Sequence, residues 1–218
     1  MAQLSLFAPG CWKSGQALVA DAMVNSGEIE EMDLLRAAEY GMLAVLLGAA
    51  PTADVLRQIA GLKGDVSALG LAHIDLANAA AAIDETTAGR EYFNLFIGVG
   101  RGELLPYGSY YQTGFLHERP LARVREDLAL LGVERAGSMR EPEDHVAILC
   151  EVMAGLARGE FGADLDAQAR FFDRHLAPWA ARFFADLETT QTATFYKSVG
   201  RLGRTFMELE SEAFTLPR

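Results

Sequence analysis

The chain is poor in the residues that build metal centres and disulfide frameworks. Among its 218 residues there are only two cysteines, Cys11 and Cys150, and four histidines. No Cys-x-x-Cys pair occurs, and no two histidines fall within one helical turn. A structural zinc site and a metal-assisted hydrolase are therefore not supported. Two cysteines so far apart predict reduced thiols, as in cytosolic proteins, and the apolar neighbours of Cys150 predict a core position.

Long apolar runs and catalytic motifs are missing as well. No segment approaches the roughly 18 uninterrupted apolar residues of a membrane helix, and the start lacks the basic and apolar regions of a signal peptide. We therefore expect a cytoplasmic protein without stable membrane insertion. No Gly-x-Ser-x-Gly elbow or P-loop occurs, and Gly98, Gly100 and Gly102 follow a predicted helix rather than a strand. The sequence favours a protein that is not an enzyme and needs no cofactor.

The composition is that of a folded helical protein. Hydrophobic residues make up 50% of the chain, with 12 phenylalanines and 6 tyrosines among them. Alanine and leucine dominate, which favours helices over strands. Apolar residues recur at helical spacing: Pro51 ends the first firm helix, Thr52 can cap a short one that runs to about Gly61, and Pro120 opens another. We predict an all-α fold, a single helical bundle domain of seven to eight helices without a convincing strand.

The same pattern predicts how the chain is divided. Residues 1–27 show weak periodicity and contain Pro9 and three glycines, so we interpret them as a mobile N-terminal extension. Residues 28–218 form the predicted helical domain. The polar connection at 133–140 is a candidate hinge for exchanging helices between two chains, so we expect a monomer or a helix-swapped dimer.

The charge of the chain is strongly acidic. With 30 acidic and 19 basic residues, the formal net charge is −11. A field of this sign repels nucleic acid and anionic lipid, and it attracts basic segments. Solubility alone also explains such acidity. The charge therefore excludes a nucleic-acid partner but becomes informative about a basic partner only if other residues indicate one.

The longest irregular stretch of the predicted domain lies between Gly98 and Gly114. It contains five glycines, one proline and three tyrosines, and irregular segments of this length are often functional. Together with the preceding EYFNLFIG (Glu91–Gly98), it places many aromatic rings near one helix end. Core packing is the alternative for Leu95 and Phe96. The three tyrosines are harder to bury together because each hydroxyl needs a partner, so we predict a surface that binds an apolar peptide.

A second candidate site is the acidic segment EPEDH, which spans Glu141 to His145. The apolar pattern predicts that it opens a helix running to Leu156, with Pro142 in the first turn. Three carboxylates within four residues would form a compact anionic clamp for an arginine fork, and His145 would add a donor or a proton switch. An ordinary acidic first helical turn is the alternative.

EYFNLFIG followed by LPYGSYY, and then EPEDH before an apolar helix, resembles the TorD/DmsD/NarJ family of chaperones. These proteins serve molybdenum oxidoreductases of the dimethyl sulfoxide reductase type. The resemblance covers roughly residues 34–209. It implies an all-helical maturation chaperone that binds the N-terminal, often twin-arginine, leader or the apo form of such an enzyme until its cofactor is inserted. The sequence does not identify the client.

The resemblance also implies which residues bind the leader. Position by position, the family's pocket corresponds to Tyr92, Leu95, Phe96, Pro106, Tyr107, Ser109 and Tyr110, and its paired polar residues correspond to Asp144 and His145. We add Glu141 and Glu143 as the carboxylates that would meet the arginines. Several family members have tryptophan where this chain has Tyr92 and Tyr107, and tyrosine still supplies an aromatic face at both positions.

Two functions of other classes stay open at this point. A generic helical adaptor would dock a folded partner and ignore leaders. A nucleotide hydrolase on the same fold would need a phosphate site, and the sequence contains no phosphate-binding loop.

Overall fold

The computed structural model describes residues 12–14, 31–135, 141–161 and 164–215. Within these ranges the α-helices are α1 (Glu31–Gly48), α2 (Ala53–Ala60), α3 (Ala68–Ala81), α4 (Glu85–Tyr92), α5 (Gly108–Thr113), α6 (Arg119–Leu130), α7 (Val146–Ala157), α8 (Leu165–His175), α9 (Ala180–Thr189) and α10 (Phe195–Thr215). A π-helical turn, Phe93–Ile97, continues α4. Two short strands, β1 (Trp12–Ser14) and β2 (Val133–Arg135), pair antiparallel. The all-α prediction is confirmed.

The described residues contain more helices than the seven or eight expected. One reason is Pro178. Phe172, Leu176, Trp179 and Phe183 keep helical spacing across it and so predict one long helix, but Pro178 interrupts that helix. A proline disfavours helical conformation in the preceding residue and lacks an N–H donor, so the chain ends α8 and restarts as α9. The indole N–H of Trp179 then donates to the carbonyl of His175 at 2.6 Å across this break. The other reason is α5, a short helix inside the glycine-rich stretch.

Two expectations fall largely outside the described residues. The predicted extension, 1–27, is described only at β1, and the candidate hinge, 133–140, only at β2. The strands themselves were not expected. Each has three residues, so the pair leaves the helical architecture unchanged.

The core is built around α7, a helix that is apolar on every side. Eleven of its 12 residues are buried, as expected for a central helix. Helix α1 packs along α7, while α9 and α3 pack against α10. Cys150 lies in α7 and is fully buried, which raises the pKa of its thiol and agrees with the predicted core position. No helix among the described residues combines the length and apolarity needed to cross a membrane.

The carboxylate of Glu91 joins the end of α4 to the start of α10. It is buried and accepts hydrogen bonds from the backbone N–H groups of Thr194, Phe195 and Tyr196 at 2.8, 3.0 and 3.2 Å. The Thr194 hydroxyl also donates to it at 2.8 Å. An anion suits this place because the first N–H groups of a helix lack partners and carry partial positive charge. Glu91 therefore holds the π-helical turn, which follows α4 directly, against α10.

We expect Glu91→Ala to lower the free energy of unfolding by about 2–3 kcal/mol, because it leaves buried N–H groups without an acceptor. Urea unfolding followed by circular dichroism measures this loss. Glu91→Gln keeps one acceptor oxygen and should lose less. Glu212→Ala removes an exposed carboxylate from the far end of α10 and serves as the control. Equal losses in the Glu91 and Glu212 variants would contradict this account of the cap.

Candidate functional site

The two segments that stood out in the sequence lie side by side in the structure. Residues 106–108 run antiparallel to residues 144–146, and the backbone N–H groups of Gly108 and Val146 donate to carbonyl groups of the opposite segment at 2.9 and 2.8 Å. This contact, which we call the junction, fixes the start of α5 beside the start of α7. It brings the aromatic and the acidic residues into one site.

Two of the aromatic-segment residues belong to the core rather than to an open surface. Leu95 is fully buried, and Phe96 is 9% exposed. The Phe96 ring contacts the rings of Tyr92 and Tyr196, with centroid distances of 5.2 and 5.4 Å. Tyr92 is half-buried, and burial together with the nearby charge of Glu141 raises its pKa to about 12. The core-packing interpretation therefore applies to Leu95 and Phe96, while Tyr92 lies at the boundary with solvent.

The acidic segment is not the first turn of a helix, contrary to our expectation. Helix α7 begins at Val146, and His145 is its N-cap. The physical reason is the junction: Asp144 is buried, and its carboxylate accepts the backbone N–H of Ser109 at 2.7 Å. Because this bond caps the start of α5, it holds Asp144 in a turn outside α7.

Each of the three carboxylates has a partner of its own, so they do not form the compact clamp that we expected. Glu143 is buried and receives both the Nε and the Nη2 atoms of Arg125 at 2.9 Å. Glu141 is half-exposed and accepts the hydroxyl of Tyr107 at 2.5 Å. Burial and this hydrogen bond raise the pKa of Tyr107. Glu141 is therefore the carboxylate of this group that both reaches solvent and lies beside an aromatic ring.

His145 acts as a neutral helix cap. It is buried and lies opposite Tyr107 across the junction, with the two ring centroids 5.1 Å apart. Its Nδ1 atom accepts the backbone N–H of Ala147 at 3.1 Å. Burial lowers the pKa of His145 to about 4, although the charges of Glu141 and Asp144 oppose the shift. At neutral pH the imidazole is therefore uncharged, as an acceptor must be.

Two buried polar atoms next to the junction have no hydrogen-bond partner within the described part of the chain. They are the second carboxylate oxygen of Asp144, Oδ1, and the hydroxyl of Ser109. Buried polar groups nearly always have a partner. These two atoms are therefore the groups in the site that are able to form a further hydrogen bond. Pro106, whose carbonyl takes part in the junction, is also buried.

Tyr110 and Tyr111 follow on α5 and differ in their surroundings. The Tyr111 ring packs against Trp179 and Phe183, with centroid distances of 5.5 and 5.8 Å, and its hydroxyl donates to Asp186 at 2.8 Å. Tyr110 is half-buried, and its hydroxyl accepts a hydrogen bond from Arg101 at 2.8 Å. Tyr111 is therefore a packing residue, whereas Tyr110 presents part of its ring to the surface.

Sequence reasoning did not select the most exposed apolar residues near the site. Phe93, Ile97 and Val99 are 44%, 50% and 97% exposed. The spacing of Tyr92, Phe96 and Val99 predicts that they share one helix face, but the backbone leaves the helix at Gly98, where φ is +62°. The π-helical turn also changes the phase of the side chains. Such turns occur often at functional sites, but the sequence carries no simple signal for one.

The accessible part of the site has the composition of a recognition surface. No group of three or more histidine, cysteine, aspartate or glutamate side chains in the described ranges is placed to hold a metal ion. The site instead combines half-exposed tyrosines, exposed apolar side chains and the carboxylate of Glu141. Surfaces of this composition bind peptides through apolar contact and select them by charge.

Comparison with known proteins gives a consistent result. A family model described as nitrate reductase delta subunit matches residues 63–185, more than half of the chain. The chaperone protein TorD of Vibrio cholerae serotype O1 is 29% identical over 190 residues, which cover 83% of this chain and 82% of that protein. TorD of Aliivibrio fischeri is 27% identical over 206 residues, covering 84% and 96%. A crystal structure described as a redox enzyme maturation protein from Archaeoglobus fulgidus has the same fold, with a TM-score of 0.55, 23% identity and coverage of 78% and 93%.

The low pKa of His145 predicts how stability depends on pH. Between the ordinary value of 6.5 and the folded value of about 4, the unfolded chain binds a proton that the folded chain does not. The contribution of His145 to the free energy of unfolding is therefore complete above pH 6.5 and is lost as the pH falls toward 4. Protonation would also remove the acceptor that caps α7.

We expect the wild-type protein to lose about 2–3 kcal/mol more free energy of unfolding between pH 7 and pH 4 than His145→Asn does. Asparagine can cap a helix but does not titrate in this range. Urea unfolding at a series of pH values measures the difference. Parallel pH profiles of the two proteins would show that His145 does not control this loss.

Proposed function

Because this chain belongs to the nitrate reductase delta subunit family, the TorD/DmsD/NarJ chaperones, we propose that it binds the N-terminal leader of an apo molybdenum oxidoreductase and holds this client until its cofactor is inserted. The observation that carries the proposal is that half-exposed Tyr107 donates its hydroxyl to the Glu141 carboxylate, while exposed Phe93 and Ile97 lie on the π-helical turn directly after half-exposed Tyr92, which the charge of Glu141 also reaches. The proposal takes these residues as one client surface. The proposal locates the protein in the cytoplasm, because a leader must be held before its client is exported.

The apolar part of the leader supplies most of the binding energy in this proposal. Burying about 500 Å² of apolar leader surface contributes roughly 12 kcal/mol before costs. Association and ordering of the peptide cost at least several kcal/mol. The remainder fits a dissociation constant in the micromolar range, about −8 kcal/mol. Phe96 supports Tyr92, since its buried ring packs edge-on against the Tyr92 ring, and Leu95 is buried in the core.

The basic part of the leader meets the carboxylate of Glu141. An exposed ion pair adds only about 0–1 kcal/mol, so this contact selects basic leaders and speeds encounter rather than providing the main affinity. The net charge of −11 acts in the same direction. A twin-arginine leader suits the site because a planar guanidinium can bind a carboxylate and also stack on a tyrosine ring.

The unpaired Asp144 Oδ1 and Ser109 hydroxyl give the site a polar contact as well. Both atoms are buried beside the junction. Polar groups of a leader that reach them would give partners to two groups that have none among the described residues. In this role Asp144 and Ser109 bind the client, and His145 keeps the junction in place.

The proposal predicts that Phe93→Ser combined with Ile97→Ser weakens leader binding about tenfold or more, because each replacement removes apolar contact area. The probe is a fluorescent synthetic peptide with two adjacent arginines followed by an apolar stretch, and fluorescence anisotropy measures the dissociation constant. Both side chains are about half exposed, so we expect the variant to keep its circular dichroism spectrum and its unfolding midpoint.

A matched control is Leu130→Ser, which removes an apolar side chain that is 85% exposed on α6. It should change the dissociation constant by less than about twofold. If the control weakens binding as much as the double variant does, the apolar surface is not the leader site. A pull-down of the apo client with and without its leader separates leader binding from the alternative, an adaptor that docks the folded client.

The role of Glu141 is tested by Glu141→Gln, which removes the charge but keeps an acceptor for the Tyr107 hydroxyl. We expect the dissociation constant of the two-arginine peptide to rise about three- to fivefold at low salt, and to lose part of its salt dependence. A peptide with glutamines in place of both arginines should bind the two proteins equally. Glu212→Gln is the control for net charge. A loss that is the same for both peptides would contradict charge selection by Glu141.

A further inference from the structure

Arg101 has an unusual partner for an arginine in an acidic protein. Its Nη2 atom donates to the hydroxyl of Tyr110 at 2.8 Å, and its guanidinium carbon lies 5.3 Å from the centre of the Tyr110 ring. By contrast, Arg36, Arg125 and Arg204 pair with carboxylates of Glu210, Glu143 and Glu188. Arg101 therefore covers an aromatic face, a position where a cation gains energy from the ring.

A second arginine, Arg182, lies over Tyr111 with its guanidinium carbon 5.1 Å from the ring centre. That contact differs because the Tyr111 ring also packs against Trp179 and Phe183 in the core. Tyr110 makes no comparable core contact among the described residues; its ring contacts are to Tyr111 and Arg101. The face of Tyr110 therefore lies at the surface, where the Arg101 guanidinium covers it.

The side chain of Arg101 can leave Tyr110 without any movement of the loop that carries it. Gly98 and Gly100 have φ values of +62° and +88°, which glycine adopts readily. The loop is fixed at its far end, where the backbone N–H groups of Glu103 and Leu104 donate to carbonyl groups of the π-helical turn at 3.1 and 2.8 Å. Arg101 itself is exposed. Its side chain can therefore leave Tyr110 while both ends of the loop stay in place.

We propose that the face of Tyr110 is a guanidinium-binding position of the client surface, and that Arg101 occupies it until an arginine of the client displaces it. This inference rests on the proposed function. Tyr107, the partner of Glu141, is the N-cap of α5, and Tyr110 lies in the first turn of the same helix. In this proposal Glu141 takes one arginine of a twin-arginine leader and the Tyr110 face takes the other.

Because Arg101 occupies the Tyr110 face, a client arginine must compete with it for this position. A lone client arginine only replaces one guanidinium contact by another, so it gains little from the exchange. A leader gains because its apolar stretch adds contacts that Arg101 does not make. The apparent affinity of any arginine ligand falls in proportion to the fraction of molecules in which Arg101 covers the ring. Because this factor is the same for every arginine ligand, a short basic segment, which binds weakly to begin with, is no longer retained, whereas a leader with an apolar continuation is.

The test is Arg101→Gln with the same fluorescent two-arginine peptide and the intact protein. Removing the competing guanidinium should lower the dissociation constant about three- to tenfold. The control is Arg57→Gln on α2, an exposed arginine that pairs with Asp54. It makes the same change in net charge and should lower the dissociation constant by less than about twofold.

A second variant, Tyr110→Leu, removes the aromatic face. It should weaken binding of the two-arginine peptide, and adding Arg101→Gln to it should then give no gain, because the two effects share one contact. A gain in Arg101→Gln no larger than in Arg57→Gln, or a gain that persists in the Tyr110→Leu background, would overturn the inference but leave leader binding intact. If the wild-type protein and every variant fail to bind the peptide, the proposed function itself fails, and this inference with it.

Discussion

The hydrogen bonds of the junction are the constraint on which the whole site depends. They hold residues 106–108 against residues 144–146, and the Asp144 carboxylate extends the contact by capping α5 at Ser109. Because these bonds are between buried groups, each broken one would leave a donor or acceptor without a partner. The junction thereby fixes the relative positions of Tyr107, Glu141 and His145, whose segments are separated by more than 30 residues in sequence. The aromatic and the acidic parts act as one surface only because this contact is rigid.

Local chemistry allowed much of the fold to be predicted. Thr52 caps α2, and Gly61 ends it, as the sequence indicated, because both effects depend on groups within a few residues. Two features were missed for identifiable reasons. Pro178 is itself a local signal for the break between α8 and α9. The apolar residues at helical spacing on both sides of it nevertheless favoured one continuous helix. The π-helical turn adds one residue to a turn of the helix. Spacing rules for an α-helix therefore assigned Val99 to the buried face, whereas its side chain is exposed in the structure.

The candidate site was harder to predict because its charges are paired with distant residues. Sequence showed three carboxylates in the segment Glu141 to Asp144, and these suggested a clamp. In the structure Glu143 forms an ion pair with Arg125, and Asp144 accepts a hydrogen bond from the backbone N–H of Ser109. Such pairs depend on which helices pack together, and the spacing of residues in the sequence does not predict this packing. Four residues of the predicted set stay partly accessible, namely Tyr92, Tyr107, Tyr110 and Glu141, but the sequence did not distinguish them from the buried ones.

An exposed apolar surface next to an acidic one has opposing consequences for a protein that must stay in solution. Phe93, Ile97 and Val99 together favour association with any apolar surface, including a second copy of the chain. A net charge of −11 repels such a copy at long range, while it attracts a basic, apolar segment. The same field therefore opposes self-association and favours the proposed client. Since most of the attraction acts through exposed charges, it is screened within about 8 Å at physiological salt, so charge guides the encounter and contact area determines how long the client stays bound.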